Sequence, residues 1–258
     1  MYAYKTKSFS YQPPVSAHNA QHILVKPNLG YPVAAPVTVS MGVLGEVLRS
    51  LRQASPNAKI SIVEGVCSPV SLHDIASKNG LYALLDEGME LLDADTLPLV
   101  EYPNLSPTPV RFPTLWAPAL LQQVDCRITI GAFKRTMLKN QPLISASLKN
   151  LYGLFPRSKY HARSLNSRGQ LHQPSVPLVL QDVYFCIGHL FDGAVIDADL
   201  RMISPDWKPD RGRTIEFGKI FAGNDPIAVD RAACIATGEP IPDYLDAIDR
   251  LRQRPKSS

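Results

Sequence analysis

Paired cysteines are missing from this 258-residue chain. Cys67, Cys126, Cys186 and Cys234 stand far apart and no Cys-x-x-Cys spacing occurs. That excludes a zinc ribbon or a ferredoxin-type iron–sulfur cluster by motif, and it predicts mostly buried thiols in a reducing compartment. No apolar run approaches the ~18 residues that span a bilayer. The opening stretch MYAYKTKSFSYQPP has no apolar core of a secretory signal. The expectation is a soluble, cytoplasmic protein with no membrane partner. There is no G-x-x-x-x-G-K-[ST] loop, no G-x-G-x-x-G fingerprint and no G-x-S-x-G elbow. Nucleotide binding and serine-hydrolase chemistry therefore have no motif behind them. The histidines show no zinc spacing, and no metal ligand is expected.

Acidic residues are missing from one long block. Between Arg127 and Gln181 there is no Asp or Glu, while Arg127, Lys134, Arg135, Lys139, Lys149, Arg157, Lys159, Arg163 and Arg168 all fall there. From Asp182 to Asp249 the balance reverses. Such one-sided blocks set up a local field and suit an anionic partner, a solvated basic face being the plainer reading. The block carries no motif that reads RNA or DNA, so a small anion is expected rather than a nucleic acid.

What is present alternates. HILVKPNL (22–29), KISIVEG (59–65), Leu97–Tyr102, CRITIGAF (126–133), GAVIDADLRMI (193–203) and KIFAG (219–223) read as strands. Between and after them, helical spacing predicts helices over 39–51, over LHDIASKNGLYALLDEG (72–88) after a Ser71 cap, over Leu115–Val124, Leu143–Phe155, Val176–Ile187, DPIAVDRAACIATG (225–238) and Pro242–Arg254. SPTPVRFP (106–113) is an extended connection, and MISPDWKPDRGRTIEF (202–217) a polar loop. The pattern predicts an α/β fold: a mainly parallel sheet with helices on both faces and a ligand crevice at the carboxyl ends of the strands. A single domain over residues 1–258 is expected, with a subdivision near 105–114.

Lys149 draws attention within LISASLKNLYGLFPRSKYH (143–161). As a helix, this segment places Ile144, Leu148, Leu151 and Phe155 on its core face and puts Lys149 about 100° away from Leu148. Its helical neighbours Ser145, Ala146 and Gly153 are small and leave room for a ligand. A lysine there can hold a carboxylate or phosphate as a point charge, or act as base or nucleophile if its pKa falls. His161 is a candidate acid or base, and Lys134, after the Cys126 strand, a third candidate catalytic group. Lys26, Asn28, Glu64, Asn150, Asn224 and Asp225 follow strands or flank Lys149 and are expected to bind substrate. Asp197, also expected to bind substrate, interrupts an apolar strand and is expected to be buried against the basic block. Asp225 and Pro226 also fit an N-cap and first helical turn.

VKPNL, IVEG, SLKNLYGLFP followed by KYH, and FAGNDPIAVD occur in an order that resembles domain-of-unknown-function family 362, over about residues 22–238. The KN-x-x-G and DP-x-AVD elements together carry the likeness. The resemblance implies family membership without a defined activity. Family members are often fused to iron–sulfur modules, which the cysteine spacing here does not provide. They also often carry a Lys-x-His-like element ahead of the KN segment. Here Lys134 is followed by Arg135, Thr136 and Met137, so that histidine is missing. A fainter similarity is to the nickel-pincer lactate racemases, whose cofactor-bearing lysine precedes a histidine. It implies a covalent nickel cofactor on Lys149 as the one cofactor to test.

These readings favour an enzyme acting on an anionic small molecule, a carboxylate or phosphate, by isomerase- or racemase-like proton transfer or a biosynthetic tailoring step. The alternative is a non-catalytic binding or redox-partner module. Whether the chain forms an oligomer is left open.

Overall fold

Ten strands and seven α-helices are arranged in the computed structural model, which describes residues 2–253. In chain order they are β1 (Tyr2–Lys5), β2 (His22–Pro27), α1 (Met41–Ala54), β3 (Lys59–Glu64), α2 (Leu72–Asn79), β4 (Met89–Asp93), β5 (Leu99–Pro103), β6 (Thr114–Pro118), β7 (Cys126–Leu138), β8 (Gln141–Ser145), α3 (Ser147–Asn150), α4 (Arg157–Tyr160), α5 (Val176–Cys186), β9 (Gly193–Ile203), β10 (Arg213–Gly223), α6 (Pro226–Thr237) and α7 (Asp243–Arg252). The main sheet runs β1-β10-β9-β7-β2-β3-β4, with β8 paired to the far half of β7. Strands β9, β7, β2, β3 and β4 are parallel, and β10 is antiparallel to β9.

Side chains alternate across this sheet. Ile23 and Val25 of β2 pack with Val43, Leu44 and Val47 of α1. Leu24, one residue away, packs with Val179 of α5 and Leu245 of α7 on the other face. A strand buried on both faces reads as an unbroken apolar run, which is what ILV presents. Each such side chain contributes roughly 1.5–3 kcal/mol by leaving water. The mainly parallel sheet with helices on both faces thus matches the sequence reading. Among the described residues, no helix is long and apolar enough to cross a membrane.

Local signals also hold at several ends. Ser71 caps α2, its hydroxyl accepting the Asp74 N–H at 3.1 Å. Asp225 caps α6, with Pro226 in its first turn. The closing helix ends at Arg252, and Arg254 lies outside the described residues.

Three local expectations are corrected, and one strand was not foreseen. Leu115–Val124 is not a helix: β6 pairs with β5, buried Leu115 and Ala117 alternate with half-exposed Thr114 and Trp116, and a 3-10 turn follows over Ala119–Gln122. The residue before Pro118 is biased to extended backbone, which favours this period of two. Leu143–Phe155 is not one helix either. Residues 141–145 form β8, returning along β7 through Lys139 and Asn140, both at positive φ (50° and 61°) as a tight two-residue hairpin turn requires. One α turn, α3, and a 3-10 turn over Leu151–Leu154 follow. The polar loop after Met202 ends at Gly212, because β10 starts at Arg213. A register shift between Glu216 and Lys219, with Gly218 at φ 69°, hides the strand's period. Strand β4, MELLD, had no counterpart in the sequence reading; it pairs with β3.

Candidate functional site

The carboxyl ends of β2, β3 and β7 lie side by side, and their polar residues meet there. At the base is a fully buried ion pair, Lys26 Nζ to Glu64 Oε1 at 2.6 Å. Lys26 also donates to the Pro27 carbonyl (2.9 Å) and to Asn150 Oδ1 (3.2 Å), so its three N–H groups are used. Glu64 also accepts the backbone N–H groups of Leu29 and Gly65. Burial pulls the Lys26 pKa below its ordinary value, against the pull of Glu64.

Asn150 links this pair to the rest of the site. Its amide N–H groups reach the Lys26 carbonyl (2.8 Å), Thr129 Oγ1 (3.0 Å) and the Ile130 carbonyl (3.3 Å). Its Oδ1 accepts from Lys26 and from Asn28 Nδ2. Asn28 in turn accepts from Lys134 Nζ at 2.9 Å. One continuous network therefore runs Glu64–Lys26–Asn150–Asn28–Lys134. Asn150 is spent within it and positions the lysines, whereas half-buried Asn28 keeps one amide N–H for a ligand.

Lys134 is different. It is buried, and its ammonium donates to Asn28 and the Val37 carbonyl (2.6 Å), leaving one N–H. The β7–β9 register shifts between Ala132 and Lys134, an irregularity of the kind that re-aims a side chain. Burial, then repulsion from Lys149, pushes its pKa down to about 7. Lys149 makes no hydrogen bond or ion pair among the described residues, and its Nζ stands 5.5 Å from the centre of the Tyr152 ring. Part of the residue reaches solvent, yet the surroundings of its amine are dense enough to lower its pKa. Lys134 thus feels the Lys149 charge more strongly than that of Glu64, and neither lysine makes an ion pair among the described residues.

The KN-x-x-G and DP-x-AVD motifs meet here. Asp230, fully buried, accepts the backbone N–H groups of Ser147 (2.8 Å) and Leu148 (3.1 Å) and the Ser147 hydroxyl. It therefore clamps the start of α3, the turn that presents Lys149 and Asn150. Burial raises its pKa to about 6 against those hydrogen bonds. Gly153 closes the motif from above: a Cβ there would run into Glu64 Oε1 and stand 2.9 Å from Lys26 Nζ. The room expected above Gly153 is filled by the Lys26–Glu64 pair.

Other expected residues lie elsewhere. Asn224 and Asp225 sit at the opposite edge of the sheet, because β10 runs antiparallel and its last residue pairs with Ala194 near the start of β9. Asp225 caps α6 and pairs with Arg252 at 2.9 Å. Asp197 is buried as expected, but its partners are the backbone N–H groups of Ser40 (3.0 Å) and Asp199 (3.2 Å), not the basic block. His161 is held in its own turn, Nδ1 to the Arg157 carbonyl at 2.9 Å, and hydrogen-bonds none of the lysines.

Three residues join the site that the sequence reading passed over. Arg168, 4% exposed, donates to the carbonyls of Phe155, Gly65 and Val66 and pairs with Asp95 at 3.5 Å. It also donates to Cys67 Sγ at 3.3 Å; Cys67 is exposed while the other three cysteines are buried. His172 packs its ring 6.0 Å from that of Tyr152. Arg168 and His172 are distant in sequence from every strand end, and only the return of residues 160–172 over α3 brings them in. Among the described residues, no group of three or more His, Cys, Asp or Glu side chains is placed to hold a metal.

Comparison with curated proteins finds no match. Among solved structures, the lactate racemase apoprotein from Thermoanaerobacterium thermosaccharolyticum is similar to this chain at 13% identity and a TM-score of 0.49, covering 81% of this chain and 47% of that one. This chain therefore spans about half the length of that protein. Residues 23–235 match the family described as Domain of unknown function (DUF362). That match runs from β2 into α6 and takes in both Lys149 and Asp230, and the chain belongs to this family.

Proposed function

We propose that this protein is an enzyme acting on a small anionic substrate, a carboxylate or a phosphate, through proton transfer beside the anionic group. One observation carries the reading: Lys134 and Lys149 interact at the carboxyl edge of the sheet, with N–H donors left over and no ion pair to either among the described residues. Two such cations repel each other and lose hydration, and a bound anion relieves both costs. It would also draw protons back onto lysines whose pKa values burial holds down.

The same groups suit chemistry on the anion. An ammonium with a pKa of about 7 can give or take a proton at neutral pH. Paired lysines stabilise the negative charge that develops when a C–H beside a carboxylate is deprotonated. The Lys26–Glu64 pair and Asn150 hold the geometry rather than react, since their hydrogen-bonding capacity is used.

The test is solvent exchange. The protein is incubated in D2O with a panel of short 2-hydroxy carboxylates, 2-oxo carboxylates and phosphorylated acids, and proton NMR follows loss of the C–H signal beside the carboxylate. Exchange catalysed by the wild type and lost in Lys134→Met supports the reading. Anion binding with no exchange across the panel would make the protein a binding module instead.

A further inference from the structure

Lys149 and His172 converge on one aromatic ring. The Lys149 ammonium lies 5.5 Å from the centre of the Tyr152 ring, and the His172 ring 6.0 Å from it, tilted by 32°. Tyr152 is fixed in place: its ring is buried and its hydroxyl donates to the Leu171 carbonyl at 2.9 Å, the residue just before His172. The same contact sets the 3-10 turn Gly169–His172 against the Lys149 segment. Leu171 is fully buried beneath it, so the turn is anchored.

His172 is partly exposed, and neither of its ring nitrogens takes a hydrogen bond among the described residues. Four of the other five histidines differ, and the fifth, His18, is exposed. His161 is tied to the Arg157 carbonyl, His22 to Ser61, His73 to Tyr82 and His189 to the Tyr184 carbonyl. An imidazole left with both nitrogens open, within reach of the Lys149 charge and against the ring that Lys149 also faces, is positioned for a ligand rather than for the fold.

We infer that His172, and not His161, is the base of this site, taking a proton from the carbon beside a carboxylate that Lys149 holds. The inference rests on the anion-site reading above. In the step, the C–H bond breaks and its proton goes to an imidazole nitrogen. The electron pair stays on the substrate as an enolate, whose charge the lysine ammonium groups balance. Return of a proton to either face completes an isomerisation without an oxidant or a further reactant. Burial and the neighbouring Lys149 charge push the His172 pKa down to about 4, so the imidazole is neutral at pH 7, and an anion bound at Lys149 would offset that charge and raise its basicity. Lys149 is the charged group that faces the ring from the α3 segment; Tyr152 faces it as an uncharged ring.

The experiment is NMR of the imidazole Cε1 protons in the full chain, assigned with His172→Gln and His161→Gln, during titrations with inorganic phosphate and with glycolate. Glycolate reports a carboxylate ligand and phosphate the alternative anion. The expected result is binding that shifts the His172 resonance and raises its titration midpoint, while His161 is unmoved. Lys149→Met should raise the His172 midpoint without any ligand, which a merely structural histidine away from Lys149 would not show. Where a substrate exchanges deuterium, His172→Gln should lower exchange by about 100-fold or more while retaining glycolate binding; His161→Gln should not. Binding of either anion with His172 unaffected overturns the inference and leaves the anion site standing. Failure of both anions to bind overturns the two together.

Discussion

Replacing Lys134 by methionine should change how stability depends on pH, and the structure gives the size. The folded chain holds the Lys134 pKa at about 7, against an ordinary value of 10.5. Between these values the unfolded chain binds one more proton than the folded one at this position, so stability rises with pH across the window. The cost of a charged Lys134 is full below pH 7 and gone above pH 10.5. Each pH unit within the window is worth about 1.36 kcal/mol. From pH 7.5 to 9.5 the wild type should therefore gain about 2–2.7 kcal/mol relative to Lys134→Met. The methionine keeps the apolar stem and removes the charge. Its loss of donors to Asn28 and Val37 shifts the stability curve by a pH-independent amount and so does not affect the difference between the two pH values. The assay is urea unfolding of both proteins at several pH values, extrapolated to water. Parallel curves for the two proteins would refute the argument, for they would mean that Lys134 is hydrated and titrates normally.

Further substitutions probe the framework. Glu64→Gln leaves the buried Lys26 charge unpaired and should cost about 3–5 kcal/mol, read by denaturant unfolding, against a small effect for the exposed pair partner Asp86→Asn. Gly153→Ala drives a Cβ into the Lys26–Glu64 contact and should cost at least ~1–3 kcal/mol as overpacking, visible as a lowered Tm. Asp230→Asn removes a carboxylate that accepts from Ser147 and Leu148. It should destabilise by about 1–3 kcal/mol and also weaken anion binding, because α3 presents Lys149. The Asp230 pKa of about 6 lies above the ordinary 3.8, so its titration stabilises the fold below pH 3.8 and that contribution is lost as pH rises through 6. In Asp230→Asn the loss between pH 4 and 6.5 should disappear.

Long apolar strands were legible in the sequence because both faces of a parallel sheet are buried: ILV in β2, ISIV in β3 and VI in β9 leave little choice. Capped helices were legible too, since Ser71 and Asp225 carry their cap chemistry locally. The segment around Lys149 was misread because Ile144, Leu148, Leu151 and Phe155 have helical spacing and are all buried, yet Ile144 belongs to a hairpin and packs in a separate cluster with Phe133. The signal that could have corrected it is Lys139-Asn140 between two runs of strand-forming residues. The lysines of the site were visible as a one-sided charge block. Which of them keep free donors was not, for that depends on Asn28 and Asn150, side chains 122 residues apart that meet across the sheet edge. Strand direction was equally hidden: nothing local shows that β10 runs antiparallel, and that alone moves Asn224 and Asp225 to the far edge.

The most direct test of the anion site is calorimetric titration of phosphate and of glycolate into the wild type and into Lys149→Met at pH 7. The account predicts saturable binding to the wild type and a loss of about 10- to 100-fold in Lys149→Met, the worth of one charge-assisted hydrogen bond. Equal affinity of the two proteins for the bound anion, or no binding of either anion to the wild type, would contradict it.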